Sequence, residues 1–132
     1  ILNSSPSGAQ GNCHELIRRI QKDYLAEEDS QVVHLSEVKS FKKLLSQIQN
    51  AAGLVFVTGT YWDSWGSPLQ KLLENMTELE GSSKVLGKPC AVIVLMHSVG
   101  GKGVLSRLQG VLSSMGFLIP PMSGMVHSLV TD

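Results

Sequence analysis

Residues 90–103 read CAVIVLMHSVGGKG, and this stretch decides the fold. Cys90–Met96 is an unbroken apolar run with no alternating polar residues, the mark of a strand covered on both faces. Gly100, Gly101 and Gly103 then turn the chain. Val104–Met115 follows with helical spacing and stops at Gly116, where a left-handed C-cap is expected. Strand, glycine-rich turn and helix in that order are half of a βαβ unit.

Working outward, the same pattern repeats. Gly53–Thr58 (GLVFVT) is a second strand of the buried kind, and Pro68–Leu79 carries Leu69, Leu72, Leu73, Met76 and Leu79 at helical spacing, with proline in the first turn. Upstream, Gln31–Leu35 is a short β-branched strand. Glu37–Asn50 is an amphipathic helix through Val38, Phe41, Leu44, Leu45 and Ile48. A first helix spans Asn12–Glu28 through Leu16, Ile17, Ile20, Tyr24 and Leu25. Ile1-Leu2 lies in a first strand, and Phe117–Ile119 forms a last one, stopped by Pro120-Pro121. Alternating strands and helices predict an α/β fold with a doubly wound, mostly parallel sheet in three layers. A (β/α)8 barrel needs about 200 residues or more, and this chain has 132.

Composition narrows the function. Eleven basic and eleven acidic side chains cancel, which argues against nonspecific nucleic-acid binding. The longest apolar run is far short of the ~20 residues of a membrane span, so a cytoplasmic domain without membrane or nucleic-acid partners is expected. The chain opens without methionine inside an apolar pair, and reads as a single domain over residues 1–132 lacking its first residues. The two cysteines, Cys13 and Cys90, form neither a CxxC pair nor a zinc set. They fall at opposite ends of strands roughly 20 Å long, so both thiols are expected free. Cys90 should be a buried hydrophobe, whereas the helix dipole at Cys13 could lower its thiol pKa.

Small polar residues and glycines gather after the first, third and fourth strands, in Ser4–Asn12, Thr58–Ser67 and His97–Gly103. All three loops leave carboxyl ends of parallel strands, where open α/β sheets bind ligands. Ser4–Asn12 leads into a helix amino terminus and suits a phosphate, although it is neither a Walker loop nor GxGxxG; otherwise it is a plain cap with Asn12 as N-cap. Thr58–Pro68 concentrates both tryptophans, which could stack on a planar ring or pack an interface. Of the four histidines only His97 falls in the crevice; His14, His34 and His127 read as surface or structural residues. No Ser-His-Asp set, paired carboxylates or metal ligands converge there, so no catalytic side chain and no metal are assigned.

At these three loops the chain resembles the flavodoxin-like NAD(P)H-dependent FMN reductases, related to quinone, azo and chromate reductases. Ile1–Asn12 is similar to the family's first strand and phosphate loop, Ala52–Leu73 to its T-P-x-Y…P-x-x-L-K-N block, and Gly87-Lys88-Pro89 with the following strand and turn to its G-K-P…GG segment. The loop here lacks Arg and Lys, Ser7 stands where the reductases often have Arg, and Gly59 replaces the proline of T-P-x-Y.

The resemblance implies a five-stranded parallel sheet of order 2-1-3-4-5. It places the first and fourth helices, with a terminal helix missing from this chain, opposite the second and third. It implies an FMN-dependent oxidoreductase that passes electrons from NAD(P)H to a small acceptor such as free flavin or a quinone, with the flavin supplying the chemistry. Ser5, Ser7, Gly11 and Asn12 would hold the phosphate, together with Cys13. Thr58, Gly59, Thr60, Tyr61, Trp62, Asp63 and Ser64 would lie along the ring, and His97, Ser98, Gly100 and Gly101 on its other side. A flavodoxin-type electron carrier is the alternative, though such carriers are usually acidic; a flavin-free interaction domain is another. The aromatic loop predicts a homodimer or homotetramer, with residues 61–76 in the interface.

Overall fold

A computed structural model describes residues 1–25 and 29–130. Five strands, β1 (Leu2–Asn3), β2 (Val33–His34), β3 (Leu54–Gly59), β4 (Cys90–Met96) and β5 (Gly124–Ser128), form one sheet of order β2-β1-β3-β4-β5. Every pairing is parallel. The helices are α1 (Asn12–Tyr24), α2 (Phe41–Asn50), α3 (Ser67–Asn75) and α4 (Gly101–Met115). The expected order and parallel sense therefore hold, and β4 has the bounds read from its apolar run. Gly116 caps α4 in the left-handed region at φ 109°. The predicted end of the first helix, at residues 26–28, lies outside the described residues.

The placement of α4 corrects the expectation. Leu44, Leu45 and Ile48 of α2, Leu69, Leu72 and Leu73 of α3, and Val104, Leu108 and Leu112 of α4 share one core with Phe56, Val92 and Val94. On the other face Cys13 and Ile17 of α1 pack on Val57 and Leu95. Crossover handedness explains this. The chain moves one way from β1 to β2, then the opposite way through β3, β4 and β5, so right-handed crossovers put α1 on one face and α2, α3 and α4 together on the other.

The last strand also differs from its reading. Leu118 makes only an isolated bridge with Pro89. Pro120 and Pro121 interrupt the pairing, the chain turns through Met122 at φ 61°, and β5 resumes at Gly124 beside Val92. Proline cannot donate to a ladder, so the strand begins after the pair instead of before it. Similarly, α2 starts later than Glu37. Leu35–Glu37 forms a 3-10 turn, and Ser40 is the N-cap, its Oγ accepting from Lys43 N–H at 3.3 Å.

Both cysteines are free and buried. Burial pushes each thiol up to about 11, so desolvation outweighs the helix dipole at Cys13, against the expectation of a lowered value. Lys88 of the Gly-Lys-Pro segment ties β4 to α2: its ammonium donates to the carbonyls of Ile48 and Gln49, both at 2.9 Å, and to that of Ala51. These are orphan acceptors at a helix C-terminus, where a cation is favoured.

Candidate functional site

The strand register brings three loops to one edge. Asn3 pairs with Val57 and Gly59 with Leu95, so β1, β3 and β4 all end at the carboxyl side of the sheet.

The loop after β1 is built on buried polar groups. Ser4 is bound twice to Val57 O, through its N–H at 2.8 Å and its Oγ at 2.7 Å. The Asn3 side chain is fully buried; its Oδ1 accepts from Ser5 N–H at 3.1 Å and its Nδ2 donates to Gly8 O at 2.9 Å. Buried Ser5 Oγ accepts from Ser7 N–H at 3.2 Å. After the 3-10 turn Gly8–Gln10, Gly11 is the N-cap of α1 and has no side-chain cap, so Asn12 is the first helical residue and not the cap.

The N–H groups of Gly11, Asn12 and Cys13 have no acceptor among the described residues. A Cβ on Gly11 would stand 3.1 Å from both Ser5 Oγ and Ser7 Cβ, so a side chain there would crowd the two serines of the loop. Consecutive free amides at the positive end of a helix suit an anion without a cationic side chain. That answers the missing arginine. Cys13 can offer only its N–H, because its thiol is in the core.

The loop after β3 is a tight hairpin. Tyr61 and Ser64 exchange both backbone hydrogen bonds, at 2.8 and 3.0 Å, and Trp62 and Asp63 between them have φ of 50° and 57°. Side chains rarely adopt this region, so the turn is strained. Trp62 is entirely exposed at its tip. The Tyr61 ring lies back over Gly59 and Gly66, where added Cβ atoms would meet it at 3.0 and 3.4 Å. The glycine that replaces the T-P-x-Y proline is what admits the ring there. Buried Thr58 accepts at Oγ1 from Gly66 N–H at 3.2 Å, and Thr60 Oγ1 donates to Leu95 O at 3.0 Å.

The three loops touch. A Cβ on Gly66 would lie 2.7 Å from Ser4 O and 3.3 Å from Pro6 Cδ, so the second loop is pressed against the first. In the third loop Gly100 has φ 89°, and any side chain there would overlap the Asp63 carboxylate. Gly101, fully enclosed, starts α4. His97 and Ser98 are exposed, and no hydrogen bond among the described residues joins them to the other loops. The crevice thus joins an anion cradle, an aromatic turn and a glycine turn.

The model of the NADPH-dependent FMN reductase family matches residues 1–129. The chain belongs to that family. As a member of the FMN reductases it is a flavin-dependent oxidoreductase with FMN as cofactor and NAD(P)H as electron donor. The anion cradle fits the phosphate of such a cofactor. Solved FMN reductases and their relatives share the fold. An NADH:FMN oxidoreductase in its apo form is 23% identical at a TM-score of 0.75, covering 95% of this chain and 73% of that one. FerB, an NAD(P)H:(acceptor) oxidoreductase from Paracoccus denitrificans, is 22% identical at 0.75, covering 92% and 73%. General stress protein 14 of Treponema denticola, solved with FMN, is 15% identical at 0.71, covering 96% and 83%. A sequence comparison with the curated proteins found no match.

Sequence reasoning gave Asn3 and Arg107 no place beside these loops and read His34 as a surface or structural residue, whereas Asn3 is bonded within the first loop, His34 to Asn3, and Arg107 to the second loop. Asn3 ends an apolar strand and could have been flagged as a polar residue at a buried position. Arg107, which donates to Asp63 O across 44 positions, left no local signal.

Proposed function

We propose that FMN binds with its phosphate on the N–H groups of Gly11, Asn12 and Cys13, flanked by Ser5 and Ser7. Its ring lies between the Thr58–Ser64 segment and the turn at His97, Ser98, Gly100 and Gly101. The observation that carries this reading is the run of three free amides at the start of α1. When bound, FMN supplies the redox chemistry, taking reducing equivalents from NAD(P)H and passing them to an acceptor. The protein's part is to bind and orient. Thr58 and Thr60 brace the ring loop, the Tyr61–Ser64 hairpin holds an aromatic edge at the crevice, and the glycine turn allows close approach of a planar group. The acceptor is a small molecule such as free flavin or a quinone, because the crevice has an aromatic rim and no strongly acidic docking face. Nicotinamide as donor and two free thiols fit a reducing, cytoplasmic compartment.

The assembly proposed is a two-fold homodimer, or a homotetramer built from it. A groove of about 530 Å³ runs between Trp65, Glu80, Arg107, Val111 and Met115. It carries one acid and one base, so a two-fold mate can set Glu80 against Arg107 in both directions. Such an interface should bury about 1,000 Å² or more.

The test is flavin retention after gel filtration, followed by titration with NAD(P)H. Wild-type protein should keep FMN and oxidise the donor stoichiometrically, whereas Gly11→Val, and Asn12→Pro, which removes one of the three amides, should lose the flavin. Undiminished flavin in both variants removes the first loop from the site. Light scattering at micromolar concentration tests the dimer, and a monomer mass rejects it.

A further inference from the structure

We infer that His34 is a positioning residue for the phosphate loop, acting through Asn3, and that protonating it weakens FMN binding. This rests on the cofactor reading above.

The Asn3 side chain is the hub of the loop. Its orientation is forced: Ser5 N–H can only donate, so it faces Oδ1, and Gly8 O can only accept, so it faces Nδ2. The same Nδ2 lies 2.9 Å from His34 Nδ1 on β2. Nδ1 must therefore be the acceptor, which places the proton of the neutral ring on Nε2. One fully buried amide then joins two adjacent parallel strands to both ends of the turn that precedes the anion cradle.

Protonation reverses this arrangement. An imidazolium donates at both nitrogens, so Nδ1–H would face the Asn3 amide hydrogens. One of the two must turn away, and Asn3 cannot flip without losing Ser5 N–H and Gly8 O together. Two further titratable side chains stand on the elements beside this network. His14 of α1 has its ring centroid 5.1 Å from that of His34. Glu37, on the 3-10 turn after β2, has a carboxylate oxygen 2.6 Å from where a Cβ on Gly8 would stand. The loop is thus assembled with His34 neutral, and binding that needs the assembled loop strengthens as pH rises.

The experiment measures FMN affinity of the apoprotein by flavin fluorescence between pH 5 and 8 for wild type, His34→Asn, His34→Leu and His14→Asn. The flavin phosphate itself titrates near pH 6 and contributes equally in every variant, so the comparison between variants is decisive. Asparagine offers an amide oxygen near the Nδ1 position and does not titrate. Wild type should weaken by about tenfold more than His34→Asn between pH 8 and 5. His34→Leu should be weak throughout, and His14→Asn should retain most of the wild-type dependence. In the apoprotein, imidazole 15N shifts should identify the Nε2–H form of His34. Equal pH dependence in wild type and His34→Asn, or an Nδ1–H tautomer, overturns the inference. Wild-type protein that binds no FMN at pH 8 overturns the cofactor reading, and the inference with it.

Discussion

Arg107 on α4 donates a hydrogen bond from its guanidinium to the backbone carbonyl of Asp63. The two residues stand on different loops' supports, and the bond lands on one of the two non-glycine residues held at positive φ in the hairpin. Arg107 also lies over the Trp65 ring, 5.9 Å from its centroid. The strained turn is thus held from outside, by α4, as well as by its own Tyr61–Ser64 pairing.

Relieving that strain should stabilise the protein and cost function. Asn-Gly suits a hairpin turn with two positive φ values far better than Trp-Asp. The double substitution Trp62→Asn, Asp63→Gly should raise stability by about 1–2 kcal/mol, seen as a melting midpoint higher by roughly 3–8 °C. NAD(P)H oxidation should fall in the same protein. A variant that is both more stable and fully active would remove Trp62 from the site.

Gly100→Ala should be destabilising because it sets a side chain at φ 89°, whereas the Asp63 carboxylate that the added Cβ would meet is the free end of an exposed side chain and can turn aside. The loss should be about 2 kcal/mol by denaturant unfolding. Asp63→Gly relieves its own φ of 57°, so only the coupling between the two substitutions, and not the summed recovery, reports the contact. A double-mutant cycle separates the two, and strict additivity would deny the contact.

The buried thiols set an alkaline limit. Burial raises Cys13 and Cys90 from 9.0 to about 11, so the folded state holds protons that the unfolded state has released. Their contribution is intact below pH 9 and is lost as pH rises through 11, by about 2–3 kcal/mol for each thiol. Unfolding midpoints in denaturant should therefore drop steeply from pH 9 to 11. The drop should shrink in Cys90→Ala once its lower baseline is subtracted.

Lys88→Met keeps the aliphatic stem and removes three hydrogen bonds to the end of α2. Charged donors to otherwise orphan carbonyls are worth about 1.5–3 kcal/mol together with the loss of satisfaction. A decrease of about 2 kcal/mol in unfolding free energy is expected, with flavin affinity unchanged because Lys88 lies at the other edge of the sheet. Burial, with Lys84 nearby, lowers the pKa of this ammonium, so the tie should be lost at a lower pH than an exposed lysine would set.

Much of the architecture was legible because it depends on local pattern. Cys90–Met96 and Gly53–Thr58 could be read as central strands since each is built on an unbroken apolar run, and Gly116 as a cap since only glycine takes its φ readily. Failures arose where local pattern is silent. The side of the sheet taken by α4 follows from the direction of each crossover, and β5 begins only after Pro120 and Pro121 have broken the ladder. In the crevice, the loops and their glycines were visible as composition. His34 was passed over as structural because its partner, Asn3, is 31 positions away, and Arg107 meets Asp63 only through the packing of α4.

One helix serves both the core and the crevice, and this bears on how long the enzyme survives in a cell. Among the described residues α1 alone lines one face, through Cys13 and Ile17, while three helices share the other. The helix that packs through Cys13 and Ile17 is also the one whose first turn forms the anion cradle. Any opening of α1 takes the cradle apart, so a bound phosphate group suppresses it by mass action. Cellular proteases that sample open states would clear empty enzyme ahead of loaded enzyme, so protein abundance would follow the supply of cofactor.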